Sequence, residues 1–238
     1  MKKVIVLGAS SGIGEYVSRR FAEDGFEVGI AARREDRLRE LQEEFPGSVH
    51  IERIDVAGDD IEKGLESLID KLGGVDIFLY SSGYGKVNKD LDLDIETNTV
   101  DVNVYGFTRA INYIYKYFAG RGGGHIACIS SVAATRDIGI SASYSATKRF
   151  QLMYMRSIRK IGIKQGIKLK TTIIQPGFIR TDFIKDSNYL LTTNLDRGGR
   201  LIYRAIIKEK QRVYVPGYWR VIVGLWLCIP EIIWKRGI

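Results

Sequence analysis

Short β-branched runs alternate with helix-periodic segments along most of this chain, and no other feature narrows the choice of fold so far. Residues 3–7 read as a strand, after which Ile13, Val17 and Phe21 recur at i, i+4 and i+8, the buried stripe of a helix. Residues 26–32 form a second strand, and the charged helix 35–45 is stopped by Pro46-Gly47. Strands at 49–54 and 75–80 flank a helix around 61–72. A long helix follows at about 97–118, then a strand at 125–130, a helix at 142–165 and a strand at 169–175 that ends at Pro176. Beyond it, 197–208 reads as a helix and 212–215 as the last strand. Such alternation needs crossover connections, which are right-handed, so the strands become a parallel sheet with helices on both faces. The expectation is one doubly wound α/β domain over residues 1–216, with a hydrophobic tail at 217–238.

The totals agree with this. A chain of 238 residues with 45% hydrophobic content can bury a core without disulfides or metals. The two cysteines, Cys128 and Cys228, lie in apolar runs outside any C-x-x-C pattern and read as reduced. Met1-Lys2-Lys3 imitates the start of a signal peptide, but the apolar run behind it is short and enters a glycine turn, so a cytoplasmic first strand is expected. A formal charge of +8 favours anionic partners such as a phosphorylated cofactor, an acyl carrier or an acidic membrane surface. Lys and Arg are spread rather than clustered with aromatics, and no nucleic-acid motif occurs, so no nucleic-acid partner is expected. His50 and His125 stand apart from any acidic cluster, which argues against a metal site.

Directly after the first strand comes Gly8-Ala9-Ser10-Ser11-Gly12-Ile13-Gly14, leading into a helix. Glycines serve where the chain must turn sharply and where backbone approaches a pyrophosphate, and the helix then aims its free N–H groups at the phosphates. That context marks a Rossmann-type dinucleotide site. The second strand would end in an acid if NAD(H) were bound; instead it ends Ala31-Ala32-Arg33-Arg34. Arginine there suits a 2′-phosphate, so NADP(H) is expected over NAD(H).

Tyr144 and Lys148 lie four apart near the start of a helix and so share a face. An ammonium beside a phenol favours phenolate and eases proton exchange near working pH. Around them stand, in order, the glycine turn, Asp55-Val56, Asp101-Val102-Asn103, Ser130-Ser131 and Pro176-Gly177. Taken jointly from Lys2 to about Thr181, this pattern resembles the short-chain dehydrogenase/reductase superfamily. The resemblance implies a catalytic set of Asn103, Ser131, Tyr144 and Lys148. Ser131, thirteen positions before Tyr144, would bond a substrate carbonyl, and Asn103 would hold a water in a proton relay through Lys148. Lys148 would also bind the nicotinamide ribose, Asp55 and Val56 would lie beside the adenine, and Ile179 and Thr181 of the Pro176-Gly177 segment would hold the carboxamide. Ser82 and Gly83 would border the cofactor. One departure is visible: the family's Asn-Asn-Ala-Gly reads here Tyr80-Ser81-Ser82-Gly83, which keeps the glycine and loses the asparagine that ties neighbouring strands.

The expected activity is therefore hydride transfer between NADP(H) and a carbonyl or secondary alcohol, with an apolar ketone such as a 3-oxoacyl chain as substrate. A catalytically silent NADP(H)-binding protein and a membrane-peripheral lipid-ketone reductase are the alternatives. Relatives assemble as homodimers or homotetramers through the helices corresponding to 97–118 and 142–165. Residues 183–191, with Phe183, Tyr189, Leu190 and Leu191, are expected to form a flap over the substrate. The tail run 221–229 is too short to span a bilayer. Its tryptophans and terminal Lys235-Arg236 suit an interfacial helix, a cover over a long apolar substrate, or packing on a subunit.

Overall fold

Seven parallel strands in the order β3-β2-β1-β4-β5-β6-β7 make up the centre of the molecule. The structure, a computed structural model, describes residues 1–137, 139–181 and 191–237; the expected flap, except Leu191, lies outside them. The strands are β1 (Lys3–Leu7), β2 (Glu27–Ala32), β3 (Val49–Arg53), β4 (Ile77–Tyr80), β5 (Gly123–Ile129), β6 (Lys168–Pro176) and β7 (Arg212–Val215). The helices are α1 (Gly12–Glu23), α2 (Glu35–Glu44), α3 (Ile61–Leu72), α4 (Leu93–Val100), α5 (Phe107–Gly120), α6 (Ala142–Lys164), α7 (Leu195–Ile207), α8 (Trp219–Cys228) and α9 (Glu231–Gly237). The doubly wound reading holds. Strands β1 and β2 are buried almost throughout, as expected where helices cover both faces of a parallel sheet.

Two apolar layers result. On one side Val6, Ile30 and Leu79 meet Val17 and Phe21 of α1, Leu38 of α2 and Ile202 of α7. On the other, Ile5, Phe78 and Tyr80 meet Leu65 of α3, Phe107 and Ile111 of α5, and Leu152 and Met155 of α6. Each large apolar side chain so buried contributes roughly 1.5–3 kcal/mol. The order reverses between β1 and β4, and a crevice opens there at the carboxyl ends of the strands.

The long helix expected at 97–118 differs in two ways. It begins earlier, because Asp92 caps it: its Oδ1 accepts from the amides of Asp94 at 3.0 Å and Ile95 at 3.2 Å. It is also interrupted by a π-helical stretch, Asp101–Gly106, between α4 and α5. There Gly106 lies against the Val56 carbonyl so closely that a Cβ would come within 2.0 Å of that oxygen. The tail adds two short helices. Among the described residues no helix is long and apolar enough to cross a membrane. Cys128 is buried in β5 while Cys228 is exposed on α8, so they do not meet.

Both histidines sit outside the crevice. His125 is buried in β5 with its Nε2 2.8 Å from Thr172 Oγ1 on β6, and burial pushes its pKa down to about 4. The unfolded chain therefore binds a proton at pH values where the folded chain does not, so stability is intact above about pH 6.5 and is lost as pH falls toward 4. This residue should account for up to about 3 kcal/mol of that loss. Urea unfolding at stepped pH checks it: His125→Asn should flatten the decline relative to wild type.

Candidate active site

A cleft of about 680 Å³ runs along the carboxyl ends of β1 to β6. At one end the chain leaves β1 through Gly8, whose φ is +98°, and a Cβ at Gly8 would come within 2.4 Å of the Ser82 amide nitrogen. Gly12 also has a positive φ, +57°, and faces Thr181. Ser11 is extended at the start of α1 and its side chain does not cap the helix, which leaves first-turn N–H groups for an anion. This cradle, which side chains would fill, fits a pyrophosphate. Gly8, Ser10, Ser11, Gly12 and Ile13 all line the cleft, whereas Gly14 packs underneath against the Gly8 carbonyl.

Arg33 and Arg34 also border the cleft, both exposed. Arg34 reaches back to the turn, its Nε and Nη2 donating to Ser10 Oγ at 3.3 and 3.2 Å and its Nη2 to the Ser10 carbonyl at 3.2 Å. Val56 lines the cleft as well. Asp55 is exposed, is not among the lining residues, and accepts from the Ala57 amide at 3.0 Å; Ile54 lines the cleft in its stead. Ser82 and Gly83 border the cleft, and the amides of Ser81 and Ser82 both donate to the Leu7 carbonyl. Tyr80, fully buried, donates its hydroxyl to the Val102 carbonyl at 2.7 Å and so ties β4 to the π stretch.

Tyr144, Lys148 and Ser131 converge at the far end. The Lys148 ammonium lies over the Tyr144 ring, 5.6 Å from its centroid. Lys148 is buried; desolvation pulls its pKa down to about 8, while Cys128 acts weakly the other way. Its Nζ donates to the Ile129 carbonyl and to Gln151 Oε1, each at 3.2 Å. Glycine backbone packs closely on both partners. A Cβ at Gly83 would be 3.3 Å from the ammonium, and one at Gly85 would be 2.3 Å from the Tyr144 ring. Ser131 Oγ accepts from the Ala133 amide at 3.1 Å, a turn bond that holds the side chain while leaving its hydroxyl able to donate.

Asn103 is fully buried beneath the cleft and does not line it. Its Oδ1 accepts from the Tyr84 amide at 3.0 Å, and its Nδ2 donates to the Tyr84 carbonyl at 2.7 Å and to Thr147 Oγ1 at 3.1 Å. It thereby fixes the loop that carries Gly83 and Gly85. Pro176, Gly177, Ile179 and Thr181 form the remaining wall, and Ile179 pairs with Thr193 in an isolated bridge.

Three participants were not singled out from the sequence. Gln151 bonds both Lys148 and Asn103; its spacing from Lys148 on the buried face of α6 was the available signal. Trp219 of the tail packs on Gly177, where a Cβ would come within 1.9 Å of its indole nitrogen. Arg136, in the loop between Ser131 and Tyr144, donates to the Trp226 and Ile229 carbonyls and to Glu231, and stacks 4.3 Å from the Trp234 ring centroid. The tail is thus clasped to the loop between Ser131 and Tyr144.

The family model described as short chain dehydrogenase matches residues 2–189. An uncharacterised oxidoreductase of Mycobacterium tuberculosis is 29% identical over 99% of this chain and 96% of its own length. The 11-beta-hydroxysteroid dehydrogenase-like 2 protein of Arabidopsis thaliana is 30% identical over 98% of this chain and 79% of its own. Among solved structures, ElxO with NADP bound superposes with a TM-score of 0.81 at 17% identity, covering 92% of this chain and 99% of that one. A 3-ketoacyl-(acyl-carrier-protein) reductase from Brucella melitensis complexed with NADH gives 0.80 at 20% identity, covering 90% and 95%. With its parallel seven-stranded sheet and the family match over most of its length, this chain belongs to the short-chain dehydrogenase family of oxidoreductases.

Proposed function

We propose that this protein is an NADP(H)-dependent oxidoreductase that interconverts an apolar ketone and its secondary alcohol. The observation that carries the reading is the Lys148 ammonium lying over the Tyr144 ring in the wall of a cleft that also holds Ser131. A bound nicotinamide supplies or accepts the hydride. The Tyr144 hydroxyl gives its proton to the carbonyl oxygen in reduction and takes it back in oxidation. Lys148 stabilises the phenolate left behind, because a cation close to a phenol favours its charged form. Ser131 donates to the same carbonyl oxygen, where negative charge grows in the transition state. Asn103 holds the Tyr84 loop beneath. Tyr144→Phe should lower kcat by about 10²- to 10⁴-fold in a carbonyl screen followed at the NADPH absorbance band, with NADPH affinity nearly unchanged. Normal turnover in that variant overturns the assignment, and NADPH binding without turnover in wild type points to a silent binding protein.

The preference for NADP(H) rests on Arg33 and Arg34 bordering the cleft at the end of β2, with Arg34 braced on Ser10. Charge-assisted bonds to a phosphate contribute roughly 1.5–3 kcal/mol. Arg33→Ala with Arg34→Ala should therefore raise KM for NADPH by about ten- to a hundredfold and leave KM for NADH almost unmoved. Apolar substrates are favoured by Val132 and Phe178, which line the cleft and are backed by Trp219. Association of copies through the outer faces of α4 to α6, which expose Val100, Tyr105 and Met153, is the assembly we favour.

The tail reads best as a contact for an anionic lipid surface. Val221 and Leu225 are exposed one turn apart on α8, and Ile232 and Ile233 are exposed on α9. Arg220 and Lys235 are exposed on the same helices, while the acid beside them, Glu231, is held by Arg136. Apolar surface flanked by cations on a chain of charge +8 suits negatively charged headgroups. Leu225→Glu with Ile232→Glu should abolish co-sedimentation with phosphatidylglycerol-containing vesicles and leave the melting temperature unchanged. Wild-type protein that fails to pellet, or a change of oligomeric state in the variant, removes this idea.

A further inference from the structure

Gln151 stands on the buried face of α6 with none of its surface exposed. A buried amide is costly unless its polar atoms are paired, and here both ends are. Its Nε2 donates to the Asn103 carbonyl at 3.0 Å, and its Oε1 accepts from Lys148 Nζ at 3.2 Å. The carbonyl it binds belongs to the π-helical stretch. An ammonium has three N–H groups. The Ile129 carbonyl takes one and Gln151 a second, which leaves the third for the side of Lys148 that lines the cleft.

We infer that Gln151 is a positioning residue: anchored on Asn103, it grips Lys148 from behind and aims the remaining ammonium N–H into the cleft. This rests on the roles given above to Tyr144 and Lys148. A neutral acceptor at this place has a consequence. A carboxylate would stabilise the ammonium further, and an apolar side chain would leave it with one protein acceptor fewer. The titratable groups facing the ammonium are few. Tyr144 is on its own helix, and Cys128 on β5 has its thiol pushed up to about 12 by burial. Tyr80 on β4 lies beside Cys128 and is raised well above its usual value by burial. No carboxylate faces Lys148 among the described residues.

The test uses Gln151→Met, which keeps the length and removes the acceptor, and Gln151→Glu, which adds a charge. Two quantities are followed against pH: NADPH affinity, from the fluorescence of the bound nucleotide, and kcat for NADPH-driven reduction of 9,10-phenanthrenequinone. Both should decline as pH rises through the deprotonation of Lys148. The decline should move about one pH unit lower in Gln151→Met and to higher pH in Gln151→Glu. A merely structural role would lower activity in both variants without opposite displacement of the limbs. Should the glutamate variant not fold, Gln151→Met decides by itself: a limb coincident with wild type overturns the inference. If wild type binds NADPH but reduces nothing, or if Tyr144→Phe keeps full turnover, the catalytic reading fails, while the affinity limbs still decide the role of Gln151.

Discussion

An ammonium sealed under the carboxyl ends of a parallel sheet is the constraint to which the surrounding structure answers. Desolvation moves Lys148 from 10.5 to about 8, a cost of about 3 kcal/mol at neutral pH. That cost is met by geometry from several elements. The end of β5 offers the Ile129 carbonyl, and Ser130 donates its hydroxyl to the Lys148 carbonyl at 3.0 Å, fastening α6 to the strand. From the other side, Gln151 links the same side chain to the π stretch. Remove any one contact and the charge loses either its shelter or its direction. Site and core are therefore one construction, with the apolar layers supplying the stability that the buried charge consumes.

The elements most legible in the sequence are those whose backbone demands cannot be met by other residues. The glycine turn after β1 was readable because Gly8 and Gly12 occupy positive φ and Gly8 meets Ser82 at a distance that excludes a side chain. Tyr144 and Lys148 were readable because helical spacing alone brings them to one face. The break in the long helix was not, since apolar periodicity runs on through Val100, Val104 and Phe107 and gives no sign of a wider turn. Asp92, an aspartate just before a helical run, carries the start signal for it. Asp55 matched the family's motif, yet its side chain is spent on the Ala57 amide.

Contacts distant in sequence were the least legible. Nothing local announces that Arg136 will cap the carbonyl end of α8 and stack on Trp234, or that Tyr218 will donate to the Leu191 carbonyl at 3.1 Å. These contacts make the tail part of the cleft's architecture. The loop from Ser131 to Tyr144 is also held near Ala134 by Arg149 and at the Ile140 carbonyl by the Asn88 amide. With its middle clasped by the last two helices, the wall opposite the glycine turn has a defined shape.

The wider turn at Asp101–Gly106 has a topological meaning of its own. A π-helical stretch holds more residues per turn than the α-helix that flanks it. The wide turn absorbs about one extra residue, so α4 and α5 keep their relative phase about the axis while the stretch between them bulges. Asn103 lies in that bulge, where it meets the Tyr84 loop and Thr147 together, and a narrower turn would displace it although the flanking helices stayed in register. The count of residues between Asp92 and Phe107 is thus as much a part of the cleft as any side chain that borders it.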